Sequence, residues 1–149
     1  MDLNKFREAL QRVALPARFK IDIYTEDVAA MLRETYINEV LRRYKTFIDD
    51  EATQQHIEQA AKWLVGNYKF GLLLYGNVGN GKTTLSSAIG RLIGLLYGSN
   101  NYYDRKEVRH VTALELANIA KDSPDAFRDI KTRELLAIDD VGVEPSVVK

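Results

Sequence analysis

The sequence predicts an α/β fold in which a three-layer αβα parallel sheet follows an α-helical N-terminal extension. Three observations lead there. Residues 1–66 show helical periodicity and nothing else. After residue 67, short apolar runs alternate with helical stretches, the pattern of a parallel sheet built from strand–helix units. A glycine-rich loop at 76–83 joins the first apolar run to the next helix. The expected division is a helical extension over 1–66 and a sheet domain over 67–149.

In the extension, Leu3, Phe6, Leu10 and Val13 fall at helical spacing, and Pro16 closes that segment. A second helix is expected after Thr25, which can cap it, with Val28, Met31, Leu32, Tyr36, Val40, Leu41 and Tyr44 as its apolar stripe. A third runs from about Asp50 to Val65, with Ile57, Ala60, Ala61 and Leu64 inward and Gly66-Asn67 as its end. No catalytic motif lies in these residues. They read as an extension packed on the sheet domain, or as an arm that docks a partner.

The pattern then changes. Phe70–Tyr75 is an apolar run bounded by glycine and reads as a buried strand. A helix is expected from about Lys82 to Tyr97, ending at Gly98-Ser99-Asn100-Asn101, and Gly90 and Gly94 inside it suit close packing on a sheet. Val108–Val111 reads as a strand. Thr112-Ala113-Leu114-Glu115 has the spacing of a capping box and opens a helix. Ser123-Pro124 opens another, with proline in the first turn. Glu134–Ile138 is the last apolar strand and ends in Asp139-Asp140.

Composition narrows the class. Hydrophobic residues make up 46% of 149 residues, enough for a core. Lys and Arg number 21 against 21 Asp and Glu, so no global basic field steers the chain to nucleic acid. The absence of cysteine excludes disulfides, thiolate zinc sites and thiol catalysis. The N-terminus lacks a signal-peptide layout, and no apolar run approaches the ~20 residues of a membrane span. A cytoplasmic protein without a membrane partner is expected.

The chemistry is concentrated in Gly76-Asn77-Val78-Gly79-Asn80-Gly81-Lys82-Thr83, which matches the Walker A pattern G-x-x-x-x-G-K-[ST] of P-loop proteins. Glycines let the backbone curl so that several N–H groups face phosphate oxygens. The loop empties into a helix whose positive N-terminal end favours an anion. Lys82 reaches the β- and γ-phosphates, Thr83 offers its hydroxyl to Mg²⁺, and Thr84 is a further phosphate contact. The run Leu135-Leu136-Ala137-Ile138-Asp139-Asp140 delivers acids at the tip of a strand, where ligands of open α/β sheets bind. Asp139 is the expected Mg²⁺ residue, acting through water, and Asp140 the residue that orients an attacking water. The expected ligands are ATP (or ADP) and Mg²⁺, with Lys82 and Asp140 as catalytic residues.

At these residues, together with Val111-Thr112-Ala113-Leu114-Glu115-Leu116 and Asp139-Asp140-Val141-Gly142, the chain resembles the AAA+ ATPases of the DnaC/IstB type. These are bacterial helicase loaders and transposition helper ATPases. The resemblance covers roughly residues 44–149, and residues 1–43 match nothing recognisable. It implies ATP-driven assembly in DNA replication or transposition, with a replicative helicase or transposase as partner, contact with single-stranded DNA, and a homo-oligomer of the full-length form. It implies that Asp-Asp is the usual ending of the Walker B strand. It also implies two further strands, a sensor residue, an arginine finger and a helical lid, which residues 141–149 cannot hold; the fourth strand of such a sheet lies between the Walker A and Walker B strands. The expectation is an incomplete AAA+ core that binds nucleotide without efficient turnover.

Two other classes compete. A P-loop small-molecule kinase needs an acceptor site and an arginine-rich lid, and no such lid is evident. A nucleotide-dependent interaction module without turnover would be built around the helical arm. The absence of an N-K-x-D base-reading motif favours ATP over GTP. His56 and His110 lie outside any motif and read as structural. Tyr102-Tyr103 with Arg105, Lys106 and Arg109 reads as a solvated loop that could also stack on single-stranded nucleic acid. Glu144 and Pro145 read as turn residues.

Overall fold

The computed structural model describes residues 2–12, 18–66, 70–98 and 106–142. The elements are α1 (Leu3–Arg12), α2 (Thr25–Arg42), α3 (Glu51–Val65), α4 (Lys82–Tyr97), β1 (Arg109–Thr112), α5 (Ala113–Asp122), α6 (Pro124–Lys131) and β2 (Leu136–Asp139). Val13, Pro16, Tyr102, Tyr103, Arg105, Glu144 and Pro145 lie outside the described residues.

Three helices make the core. Val28 and Leu32 of α2, Ile57, Ala60, Ala61 and Leu64 of α3, and Leu85, Ala88, Ile89, Leu92 and Ile93 of α4 form one buried cluster, joined by Ile21. The inward face expected for α3 is the face observed, because its apolar residues recur at 3.6-residue spacing and point one way. Each fully buried Leu or Ile contributes about 1.5–3 kcal/mol relative to exposure. This core draws on residues both before and after position 67. The segment before α2 is fastened to the end of α3. The Ile21 N–H donates to the Leu64 carbonyl at 2.9 Å. Arg18 donates to the carbonyls of Gly66 and Trp63 and stacks 4.4 Å over the Trp63 ring. The guanidinium thus occupies carbonyls that a helix end leaves without partners.

Helix α2 departs from its expected stripe. Met31, Leu41 and Tyr44 are exposed, whereas Thr35 and Glu39 are buried. Glu39 faces α4 and accepts from Arg43 at 2.8 Å, Arg91 at 3.1 Å and Arg42 at 3.3 Å. Arg43 also donates to Ser87 Oγ at 3.1 Å. A charged knot therefore ties α2 to α4 beside the apolar contact. Thr25 does not cap α2; Tyr24 holds that position without a side-chain bond. Asp50 caps α3 by accepting from the Thr53 N–H at 2.7 Å. The capping box at Thr112–Glu115 is present in both directions, and Pro124 opens α6.

The expected three-layer αβα sheet is not formed. The fold is mostly helical, and among the described residues the sheet has two strands, β1 and β2, paired in parallel with Arg109 opposite Leu136 and Thr112 opposite Asp139. Phe70–Tyr75, expected as the first strand, forms no ladder. Its residues alternate as a strand would: Leu72 and Leu74 pack on the helical core, while Leu73 and Tyr75 are 80% and 86% exposed. Apolar alternation sets which side chains turn inward, but a strand also needs a neighbour to exchange backbone hydrogen bonds. β1 and β2 take each other, and no described strand flanks 70–75. Gly90 does lie close to a strand, since a Cβ there would be 2.5 Å from His110 Nε2; Gly94 faces open space.

Candidate functional site

The glycine-rich loop spans the gap between the extended 70–75 segment and the first turn of α4. Gly79 and Gly81 adopt φ of +85° and +75°, which side-chain-bearing residues rarely take. Gly81 is constrained twice, because a Cβ there would also lie 2.7 Å from the Tyr36 hydroxyl of α2. Asn80 N–H turns back to the Asn77 carbonyl at 3.4 Å. Gly76, Asn77, Val78, Gly79 and Asn80 are all exposed. Lys82 is the first residue of α4, and its ammonium folds back over the loop, donating to the carbonyls of Gly76 at 2.9 Å and Asn77 at 2.8 Å. The loop thus closes into a ring around its own cation.

The N-terminal end of α4 is uncapped by any side chain and has no acid in its first turn. Its first N–H groups, those of Lys82, Thr83 and Thr84, precede the first intrahelical bond of the turn, from Leu85 N–H to the Gly81 carbonyl at 2.9 Å. Unpaired N–H groups and the positive end of the helix dipole make this a place for an anion.

The acids arrive from β2. Asp139 closes that strand, and its Oδ2 accepts from the Thr83 hydroxyl at 2.7 Å across 56 residues of sequence. Its Oδ1 accepts from the Asp140 N–H at 2.9 Å. Asp140 is exposed and takes a φ of +54°, so the chain turns sharply after Asp139. Lys82, Thr83 and Asp139 therefore meet at one end of α4, with Asp140 on the adjoining turn. Thr83 and Asp139 offer a hydroxyl and a carboxylate oxygen, the hard donors that Mg²⁺ prefers. Mg²⁺ retains waters and uses substrate phosphates, so one or two protein oxygens suffice. No described cluster of three or more His, Cys, Asp or Glu could hold a metal unaided.

Two neighbours were not legible as parts of this region. His110 is part of β1, opposite Ala137, where desolvation lowers its pKa and the Asp139 carboxylate opposes the shift. Tyr36 reaches Gly81 from α2; desolvation raises its phenol pKa, Asp50 adds to the rise and Arg43 opposes it. Of the basic residues considered for nucleic acid, Lys106 is paired with Glu134, and Arg109 is exposed on β1.

Compared with family models, with curated proteins and with solved structures, the chain finds no match. No described helix is long and apolar enough to cross a membrane.

Proposed function

We propose that the chain binds a nucleoside triphosphate, ATP with Mg²⁺, at the loop 76–84 and the tip of β2. The observation that carries this reading is the 2.7 Å hydrogen bond between Thr83 and Asp139. A glycine-rich turn with an accidental Lys-Thr has no reason to receive, from a distant strand, the acid that the same motif calls for. The phosphates would lie on the N–H groups at the start of α4, with the Lys82 ammonium leaving its loop carbonyls for phosphate oxygens. Thr83 and Asp139 would hold Mg²⁺, which supplies charge neutralisation at the terminal phosphates when bound. Asp140, on the turn beyond, would orient water. A cytoplasmic setting goes with this ligand.

The wider assignment rests on the sequence resemblance: a DnaC/IstB-like protein of DNA replication or transposition, assembling with a helicase or transposase and contacting single-stranded DNA, its full-length form a homo-oligomer. The reading without turnover, a nucleotide-dependent interaction module, is favoured by one observation. Asp140 is exposed, its backbone N–H donates to Asp139 Oδ1, and among the described residues no group fixes its carboxylate for catalysis.

Titrating ATP into the chain with Mg²⁺ and with EDTA tests the site. The expected result is tighter binding with Mg²⁺, an increment that Asp139→Asn removes while Mg²⁺-free binding persists. An increment that survives Asp139→Asn would take Asp139 out of the site.

A further inference from the structure

Beside the loop lies a cavity of about 280 Å³ shared by α2, α3, the extended segment 72–75 and the loop residues Asn80, Gly81 and Lys82. It is close to the lower end of the size range of small-molecule pockets, about 300–1,000 Å³. Its floor is the helical core, at Ile57, Ala60 and Leu85. Tyr36 walls one side, and His56 and Gln59 stand on the α3 rim. Neither the His56 imidazole nor the Gln59 amide makes a hydrogen bond among the described residues. An apolar slot with an aromatic wall and two polar groups open to hydrogen bonding suits a flat, partly polar ring system.

We infer that this slot takes the base and sugar of the nucleotide, with adenine as the base and Gln59 as its reader. The inference rests on the nucleotide reading of the loop. A ligand with its phosphates at the start of α4 has its other end either in solvent or in this slot, because the two share Asn80, Gly81 and Lys82. A glutamine amide offers one donor and one acceptor side by side, the complement of the N6 and N7 edge of adenine. The consequence for the architecture is that α2 and α3 complete the ligand site. They are part of the nucleotide-binding unit as well as of the core.

The test compares Mg²⁺ complexes of ATP, GTP and inorganic tripolyphosphate by calorimetry, on the whole chain and on Gln59→Ala. Gln59 is exposed on α3, so the variant keeps the core intact. The slot predicts that ATP binds at least tenfold more tightly than tripolyphosphate and more tightly than GTP. It predicts that Gln59→Ala weakens ATP roughly tenfold, abolishes the preference over GTP and leaves tripolyphosphate unchanged. Equal affinity for ATP and tripolyphosphate in the unaltered chain would overturn the slot while leaving the loop reading standing. An unchanged ATP-to-tripolyphosphate ratio in Gln59→Ala would overturn the role of Gln59. Binding of neither compound would remove the loop reading and the slot together.

Discussion

Thr83, in the first turn of α4, donates its hydroxyl to the carboxylate of Asp139 at the tip of β2, over 2.7 Å. The two residues belong to separate parts of the fold, the helical core and the small sheet, and this bond joins those parts at the candidate phosphate site. A double-mutant cycle of Thr83→Ala and Asp139→Ala, followed by urea unfolding, should give a coupling of about 0.5–1 kcal/mol, the low end for a hydrogen bond because the pair is accessible to water. Strict additivity would mean that the bond does not form in solution.

Glu39 anchors α2 to α4. Its side chain is 10% exposed and accepts from three arginines, whereas Glu34, 76% exposed, lies 3.7 Å from Arg33. Glu39→Ala leaves guanidinium groups without their carboxylate and should cost about 1–3 kcal/mol, toward the lower figure because the arginines reach solvent. Glu34→Ala should stay within about 0.5 kcal/mol. Urea midpoints of the two variants check this; equal losses would show that the knot does not stabilise the fold.

Asp50 gives the acid limb of stability a defined sign. The hydrogen bond from the Thr53 N–H holds its carboxyl below the ordinary value of 3.8. A depressed folded pKa contributes stability that is full above the unfolded value and lost as pH falls through the folded one. Asparagine also caps helices. Asp50→Asn should therefore match the parent at neutral pH and lose less stability below about pH 4. Asp49, held low by Gln54 and then Arg33, remains in the variant and supplies residual slope. Superimposable acid limbs in thermal melts would contradict the role given to the cap.

Gly81 carries two separable constraints. Gly81→Ala should destabilise through the +75° φ and through the clash with the Tyr36 hydroxyl. Tyr36→Phe removes the hydroxyl, so the double variant should recover part of the loss and retain about 1–2 kcal/mol of backbone strain. No recovery in thermal melts would mean that Tyr36 does not lie over the loop.

Much of this was legible because local chemistry decides it. The α3 face at Ile57, Ala60, Ala61 and Leu64, the capping box at Thr112, the proline start of α6 and the extent of α4 all follow from spacing within one element. The loop and the acids of β2 were readable as a motif, and the structure brings Thr83 and Asp139 together. The sheet was misjudged because Phe70–Tyr75 has the alternation of a strand without a strand beside it, and partnership is not written in the segment itself. Burial of Glu39 was invisible because Arg91 comes from 52 residues further on. The cavity at Tyr36 and Gln59 escaped notice for the same reason: its walls belong to three separate stretches of chain.

The central claim is that the loop 76–84 holds the phosphates of a nucleotide, and Lys82 offers the most direct test. Among the described residues its ammonium bonds only to loop carbonyls, those of Gly76 and Asn77, so Lys82→Ala should leave the fold intact. Calorimetric titration of Mg²⁺-ATP into the chain and into Lys82→Ala, with melts to show that both are folded, isolates the interaction with phosphate. The account predicts saturable one-to-one binding in the chain and a loss of at least tenfold in the variant. Absence of binding in the folded chain, or equal binding in both, would contradict it.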